Sequence, residues 1–225
     1  MAAMVERRTH TERQLTPRLL VAAYAQGCFP MARSAGSRDI HWFSPDPRAV
    51  IPLDKFHVPR TLRQKVRQGV FDVRFDTAFE QVIRRCAEPR EDDCETWIND
   101  EIVEAYTQLH RLGLAHSVEA WRAGGLVGGL YGVALNGAFF GESMFHDPAA
   151  GGTDASKVCL VHLVEHLKRR GFTLLDIQWI TRHLRRFGAV EIPRRRYMRM
   201  LTSALDSSAS WSSGHEKAPS RSTRG

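Results

Sequence analysis

GGLYGVALNGAFFGESMF, residues 128–145, is the stretch whose reading decides the fold. Asn136-Gly137 is a two-residue turn signal, because a type I′ turn needs positive φ at both central positions. Residues 126–135 and 138–145 then read as the two strands of a hairpin. This register pairs Val133 with Phe140 and Tyr131 with Glu142, and sets Gly132 opposite Gly141. Glu142 is the odd residue, since a carboxylate on an apolar strand face must be paired, hydrogen-bonded or protonated. It is either a hairpin end that escapes to solvent or a functional carboxylate at a strand end beside a cleft.

Upstream of the hairpin, residues 115–122 and a Gly124-Gly125 turn add a third antiparallel strand. Before that, Phe71, Val73 and Phe75 alternate as a strand does. Asp76 is positioned to cap a helix carrying Phe79, Val82, Ile83 and Cys86. An acidic loop, residues 88–95, leads to a second helix with Ile102, Val103, Tyr106 and Leu109 on one face and Gly113 as its stop. Downstream, a Pro/Gly loop (146–153) precedes a helix over about 154–170. A strand over 173–178, a short helix to Phe187-Gly188, an extended piece and a last helix opened by Pro193 follow. Strands and helices in this order predict an α+β fold with a mostly antiparallel sheet, the order of the Gcn5-related N-acetyltransferase (GNAT) fold.

The first seventy residues read differently. Residues 1–14 are polar and expected to be disordered. Thr16-Pro17 and Gly27 bracket a helix with Leu19, Leu20, Ala23 and Tyr24 on its apolar stripe, and Cys28-Phe29-Pro30-Met31 reads as a compact turn. Pro45, Pro47 and Pro52 limit residues 40–53 to two short extended pieces. Pro59 opens a further helix that ends at Gly69. A small N-terminal α/β domain over 15–69, a catalytic-sized domain over 70–205 and a disordered, serine-rich tail over 206–225 are expected.

The chain has 225 residues and a formal net charge of +7, which favours an anionic partner such as nucleic acid. Its four cysteines contain no C-x-x-C pair, so reduced thiols are the simplest reading. No apolar run is long enough for a membrane helix, and the N-terminus has no secretory apolar segment. A cytoplasmic protein, acting as a monomer, is expected.

Four groups of residues invite a chemical reading. Asp176 and Gln178 are two apart in a strand and share a face, with Leu175, Ile177 and Trp179 on the other. An ionised Asp176 can accept from the Gln178 amide and turn its carbonyl oxygen towards a substrate N–H. The stretch 182–199 holds seven arginines and one acid, Glu191, a density suited to phosphate or to a solvated basic face. Arg60, Arg63, Lys65 and Arg67 form a second basic group. His162, Glu165 and His166 match a zinc pattern, but helical geometry sets them opposite Leu160, Leu163, Val164 and Leu167, as a solvent-facing stripe rather than a metal site. Trp97, Tyr106, Phe139 and Phe140 are core aromatics or the wall of an apolar cleft. Neither G-x-x-x-x-G-K-[ST] nor G-x-G-x-x-G occurs, and the loop after the hairpin lacks the R-x-x-G-x-G segment with which GNAT enzymes hold coenzyme A.

Longer motifs carry a resemblance: residues 42–48 (WFSPDPR), 96–98 (TWI), 104–106 (EAY), 116–119 (HSVE), 128–132 (GGLYG), 141–145 (GESMF), 155–157 (ASK) and 191–195 (EIPRR), in this order. The chain resembles the leucyl/phenylalanyl-tRNA–protein transferases over about residues 17–201. The resemblance implies an aminoacyltransferase of the N-end rule degradation pathway. It would move leucine or phenylalanine, and methionine less well, from aminoacyl-tRNA to proteins with N-terminal Arg or Lys, with no cofactor or metal. Carried over by position, Gln178 oriented by Asp176 contacts the attacking amine, and Glu142 holds or polarises the reacting end. Trp97, Tyr106, Leu130, Phe139, Leu163 and Leu167 form the aminoacyl side-chain pocket. Arg182, Arg185, Arg186, Arg194 and Arg195 hold the tRNA.

Three positions depart from the pattern: Met31, the loop 146–153, and Leu163 with Leu167. The simple register also puts Phe139 and Glu142 on opposite faces, so both line one site only with a β-bulge between them. Two rivals are an acyl-CoA-dependent GNAT N-acyltransferase and a tRNA-binding module without catalysis.

Overall fold

The computed structural model describes residues 4–6, 15–89 and 96–212. Of the acidic loop, residues 90–95 lie outside these, as do most of the N-terminal stretch and residues 213–225 of the tail. Strand β1 (Met4–Glu6) is followed by α1 (Pro17–Ala25), where Thr16 accepts the Leu19 N–H at 3.3 Å and Pro17 opens the first turn. Gly27, at φ +74, already reverses the chain, so the expected turn at 28–31 is instead mostly β2 (Phe29–Ala32). Next come β3 (Ile40–Phe43), β4 (Arg48–Val50), α2 (Arg60–Arg67), β5 (Asp72–Phe75), α3 (Phe79–Cys86) and α4 (Asp100–Arg111). The antiparallel strands β6 (Ala115–Arg122), β7 (Gly125–Leu135) and β8 (Ala138–His146) lead to α5 (Ala155–Arg169) and β9 (Leu174–Gln178). Helix α6 (Arg182–Arg185), β10 (Val190–Ile192) and α7 (Arg194–Leu205) complete the fold. No helix among the described residues is long and apolar enough to cross a membrane.

Strands β1, β3 and β2 make a small sheet. A seven-stranded sheet runs β10-β4-β9-β8-β7-β6-β5, antiparallel throughout except between β8 and β9. The fold is α+β, as the element order predicts. One face of the large sheet carries a core shared with α1, α3, α4 and α7, including Tyr24, Ile83, Tyr106, Tyr131, Phe140 and Leu201. The other face packs on α5 around Val118, Leu130, Phe139, Leu163 and Leu167.

Two expectations about chain organisation change. Strand β4 falls within the proposed small domain, yet it lies in the large sheet between β10 and β9. All three of its residues are buried, and Pro45, Pro47 and Pro52 fall outside it, so they do not interrupt its ladder. The tail also begins later than expected, because Trp211 is buried at 7% exposure.

The hairpin is present with a different register beyond Gly132. Val133 pairs with Phe140 and Gly132 with Gly141, but Tyr131 pairs with Ser143. A bulge leaves Glu142 as the extra residue, opposite no single partner. At the turn only Asn136 takes positive φ, at +48, so the turn is not type I′. Gly137 is required for space instead: a Cβ there would stand 3.0 Å from the Ala204 carbonyl and against Ser207. At Gly132 a Cβ would lie 2.7 Å from Phe139 Cζ and closer still to the Phe140 carbonyl. Gly132→Ala is therefore expected to cost about 2–3 kcal/mol through overpacking, seen as a lower urea midpoint with an unchanged m-value.

Asp76 is not the cap of α3. It sits at φ +58 and accepts from the Ser117 N–H at 2.9 Å and the Trp211 Nε1–H at 2.8 Å, with His116 Nδ1 at 2.9 Å. Glu119 caps the helix instead. Its buried carboxylate accepts from the N–H groups of Thr77 (3.2 Å) and Ala78 (3.3 Å) and from the Thr77 hydroxyl (2.6 Å). The HSVE motif thus has a structural reason.

Candidate active site

Parallel pairing between β8 and β9 covers Ala138↔Leu174, Phe139↔Leu175 and Phe140↔Asp176, and ends there. Beyond it the two strands share no further pair, and β8 continues to Glu142 and β9 to Gln178. The gap between them is spanned by side chains: Gln178 Nε2 donates to Glu142 Oε1 at 3.3 Å.

Asp176 is fully buried beside the gap, and both its oxygens are occupied. Arg48 Nε donates to Oδ1 at 2.9 Å and Arg48 Nη2 to Oδ2 at 2.7 Å. The Tyr197 hydroxyl donates to Oδ2 at 2.7 Å, and the Gln178 backbone N–H to Oδ1 at 2.9 Å. Arg48 is 1% exposed, donates to the Gly27 carbonyl at 2.9 Å, and has its guanidinium over the rings of Phe29 (4.9 Å) and Tyr197 (4.6 Å). Burial opposes the charge on Arg48, but Asp176 outweighs that and raises its pKa. Burial and Asp176 push the Tyr197 hydroxyl far up, so it remains a donor.

The expected arrangement of this pair therefore changes. Asp176 does not hold the Gln178 amide; it holds the backbone of Gln178, which takes the left-handed value φ +56. That kink breaks the alternation beyond Ile177, and Trp179 turns to pack edge-on against Phe29 and Phe43. Glu142 holds the amide NH2, which leaves Gln178 Oε1 free to accept.

Glu142 reaches the surface with part of its side chain, but its carboxyl is crowded by Tyr24, Tyr106 and Gln178. Desolvation pushes its pKa up to about 8; hydrogen bonds from the Tyr24 and Tyr106 hydroxyls pull the other way, and Asp176 adds to the rise. The Tyr24 and Tyr106 hydroxyls also bond to each other, and burial raises both far above the usual phenol range. The Tyr131 hydroxyl is buried nearby without a hydrogen-bond partner among the described residues. The site thus presents a carboxyl that is protonated near neutral pH, a carbonyl acceptor at Gln178 and several hydroxyls.

Asp176, Gln178 and Glu142 come together. The six residues assigned to the pocket divide in two. Leu130, Phe139, Leu163 and Leu167 share the core under α5. Tyr106 belongs to the opposite core, with Trp97 packed against it. The anticipated bulge exists but leaves Phe139 and Glu142 on opposite faces, because Glu142 turns towards Tyr24 and Tyr106. Arg182, Arg185, Arg186 and Arg195 are exposed. Arg194 is half-buried: its N–H donates to Asp46 at 3.0 Å and its guanidinium to Ser44, so it ties α7 to the turn before β4.

His166 is not part of a solvent stripe. It is half-buried, with Nε2 3.1 Å from the Trp211 carbonyl. Asp76, His110 and His116 come close enough to hold an ion. Their ring nitrogens face protein acceptors, however: His110 Nδ1 the Ala115 carbonyl at 2.8 Å, and His116 Nε2 the Gly113 carbonyl at 3.1 Å.

Sequence reading missed Arg48, Tyr24 and Tyr197. Arg48 lies in the quoted WFSPDPR motif, but nothing local indicates a partner 128 residues away.

Residues 50–202 match the family described as leucyl/phenylalanyl-tRNA protein transferase, and residues 13–46 match its N-terminal domain. A leucyl/phenylalanyl-tRNA–protein transferase from Paramagnetospirillum magneticum is 53% identical over 197 residues, 88% of this chain and 92% of the relative. Among solved structures, L-PGS from Bacillus licheniformis aligns at a TM-score of 0.44 and 11% identity, over 83% of this chain and 69% of that one. A ribosomal-protein-alanine N-acetyltransferase from Brucella melitensis aligns at 0.37 and 16%, over 65% and 97%. The chain belongs to the leucyl/phenylalanyl-tRNA–protein transferase family of aminoacyltransferases.

Proposed function

We propose that this enzyme transfers leucine or phenylalanine, and methionine less well, to the α-amine of proteins that begin with Arg or Lys, marking them for N-end rule degradation. The observation that carries the mechanism is the side-chain amide of Gln178 where the β8–β9 pairing has ended, its NH2 held by Glu142 and its carbonyl oxygen without a hydrogen-bond partner among the described residues.

The donor ester is already activated, so the reaction needs orientation and proton management rather than an energy source. The acceptor's α-amine has a pKa of about 7.7–8.0, so a usable fraction is neutral near pH 7. Gln178 Oε1 accepts one amine N–H and aims the nitrogen lone pair at the ester carbonyl. Attack forms the C–N bond; collapse breaks the ester C–O bond and releases the tRNA hydroxyl. The proton lost by the amine is the one the leaving oxygen gains. An amide is too weak a base to keep that proton, so Gln178 positions the amine and passes the proton on. The protonated Glu142 carboxyl accepts from Gln178 with one oxygen and can donate to the reacting carbonyl with the other.

The aminoacyl side chain is assigned to the four residues under α5, Leu130, Phe139, Leu163 and Leu167, with Trp97 and Tyr106 on the opposite face of the sheet, the face towards which Glu142 turns. The enzyme acts as a cytoplasmic monomer in this reading. Arg182, Arg185 and Arg186 follow Gln178 closely along the chain and, with Arg195, contact tRNA phosphates. Changing Arg182, Arg185 and Arg186 together to alanine is expected to weaken tRNA binding at least tenfold and to lower the salt slope by about 2–3, measured by filter binding across a salt series.

The function is tested with tRNA charged with labelled leucine and a peptide beginning with arginine. Label should enter Arg- and Lys-peptides and not an acetylated control. Transfer from an acyl-CoA instead would overturn the reading, and tRNA binding without transfer would reduce the protein to a binding module.

A further inference from the structure

The C-terminal strap offers the strongest feature that the mechanism does not use. The family match ends at residue 202, yet the described chain continues to Ser212. The last turn of α7 and the residue Ser207 after it lie along the hairpin tip. The Gly137 N–H donates to the Ala204 carbonyl at 2.9 Å, the Asn136 amide donates to the Leu205 carbonyl, and Ser207 lies where a Gly137 side chain would be. Ala209 packs on the core under α5. The strap then delivers Trp211, which stacks on His116 (4.2 Å, 15°) and on Phe139 (5.5 Å, 22°) and meets His166 at 4.3 Å. Its Nε1–H donates to Asp76 at 2.8 Å. A tryptophan held by two hydrogen bonds and four ring contacts, the fourth to Phe75 at 6.0 Å, is a fixed wall, not a loose tail.

The position of that wall matters because of Phe139. On the α5 face, Phe139↔Leu175 is the last pair that β8 and β9 share. Phe139 is fully buried there, in the core under α5 with Leu130, Leu163 and Leu167. Phe139 cannot move towards β7, since Gly132 already takes it at the closest approach a residue without Cβ allows. Trp211 stacks against the same ring.

We propose that Trp211 is a positioning residue for aminoacyl selectivity: it clamps Phe139 against Gly132 and so sets the depth of the side-chain pocket. With Trp211 in place the pocket takes both donors but favours the γ-branched leucyl side chain over the benzyl group. Without it, Phe139 swings back and the pocket admits a benzyl group more readily. This inference rests on the assignment of the pocket to Leu130, Phe139, Leu163 and Leu167.

The test is the ratio of kcat/KM for phenylalanyl-tRNA to that for leucyl-tRNA, which a loss of folded enzyme alone does not move. Trp211→Ala is expected to raise this ratio about fivefold or more, while Trp211→Phe, which retains a ring behind Phe139, stays within about twofold of wild type. If Trp211→Ala does not fold, Trp211→Leu keeps the site filled without a ring and is expected to shift the ratio in the same direction. Leu163→Ala is measured alongside. A ratio that moves for Leu163→Ala but not for the Trp211 variants overturns the clamp and leaves the pocket standing. A ratio that moves for neither overturns the pocket and the clamp with it.

Discussion

Asp176→Ala is expected to lower the transfer rate at least about a hundredfold and to destabilise the protein by roughly 3–5 kcal/mol, with tRNA affinity nearly unchanged. The two losses share one cause. The substitution leaves Arg48 as an unpaired charge that is 1% exposed, and removes the acceptor for the Tyr197 hydroxyl and the Gln178 N–H. Gln178 then loses the side-chain contact that holds its backbone at φ +56, and its side-chain carbonyl no longer points at the amine. A second variant separates stability from activity. Arg48→Met combined with Asp176→Leu replaces the ion pair with apolar side chains and should recover most of the melting temperature, yet transfer should stay at the level of Asp176→Ala. Single-turnover transfer, filter binding and a thermal melt on the same three proteins check this. Recovery of activity in the apolar pair would remove Asp176 from the mechanism.

Glu142→Gln is expected to make the protein more stable, and increasingly so as pH rises. The Glu142 pKa is about 8 in the fold, against an ordinary value of 4.5. Between those values the unfolded chain releases the proton while the native state keeps it, so the native state binds more protons and stability falls as pH increases. Below about 4.5 both states are protonated and the penalty is absent; above about 8 it is complete. The full shift corresponds to an upper bound of roughly 4–5 kcal/mol, and water at the exposed edge of the residue screens part of it. A gain of about 2 kcal/mol at pH 8.5, or about 4–8 °C in Tm for a chain of this length, is the expected result, shrinking towards zero at pH 4.5. The same glutamine cannot donate a carboxyl proton, so transfer should fall although the fold is firmer. A Tm difference that is flat from pH 4.5 to 8.5 would place an ordinary, solvated carboxylate at this position.

Much of the architecture is legible in the chain because it is local. The Asn136-Gly137 tip, the alternation of Phe71, Val73 and Phe75, and the Pro193 start of α7 each act over a few residues. Asp176, Gln178 and Glu142 stand out because polar groups on apolar strands need an explanation. The failures are long-range. The bulge at Glu142 follows from the Tyr24 and Tyr106 hydroxyls on two other helices, which no strand register contains. Asp176 has the right chemistry to hold a neighbouring amide, but Arg48 and Tyr197 reach it first. Trp211 sits among serines, and distant residues, Asp76, His116, Phe139 and His166, make it part of the core. The pocket divides because Phe139 and Tyr106 stand on opposite sides of one sheet, a fact of three dimensions rather than of spacing.

Strand β4 has a consequence for how the enzyme comes into being. It is made from residues 48–50 but is sandwiched between β9 and β10, made from residues 174–192. During synthesis its two edges stay unpaired until those strands leave the ribosome, and closing so long a loop is slow. Arg48 is equally without its carboxylate until then. The buried cluster of Arg48, Asp176 and Tyr197 beside Gln178 is therefore completed late, so a chain interrupted before Asp176 holds no assembled site with which to acylate the amines around it.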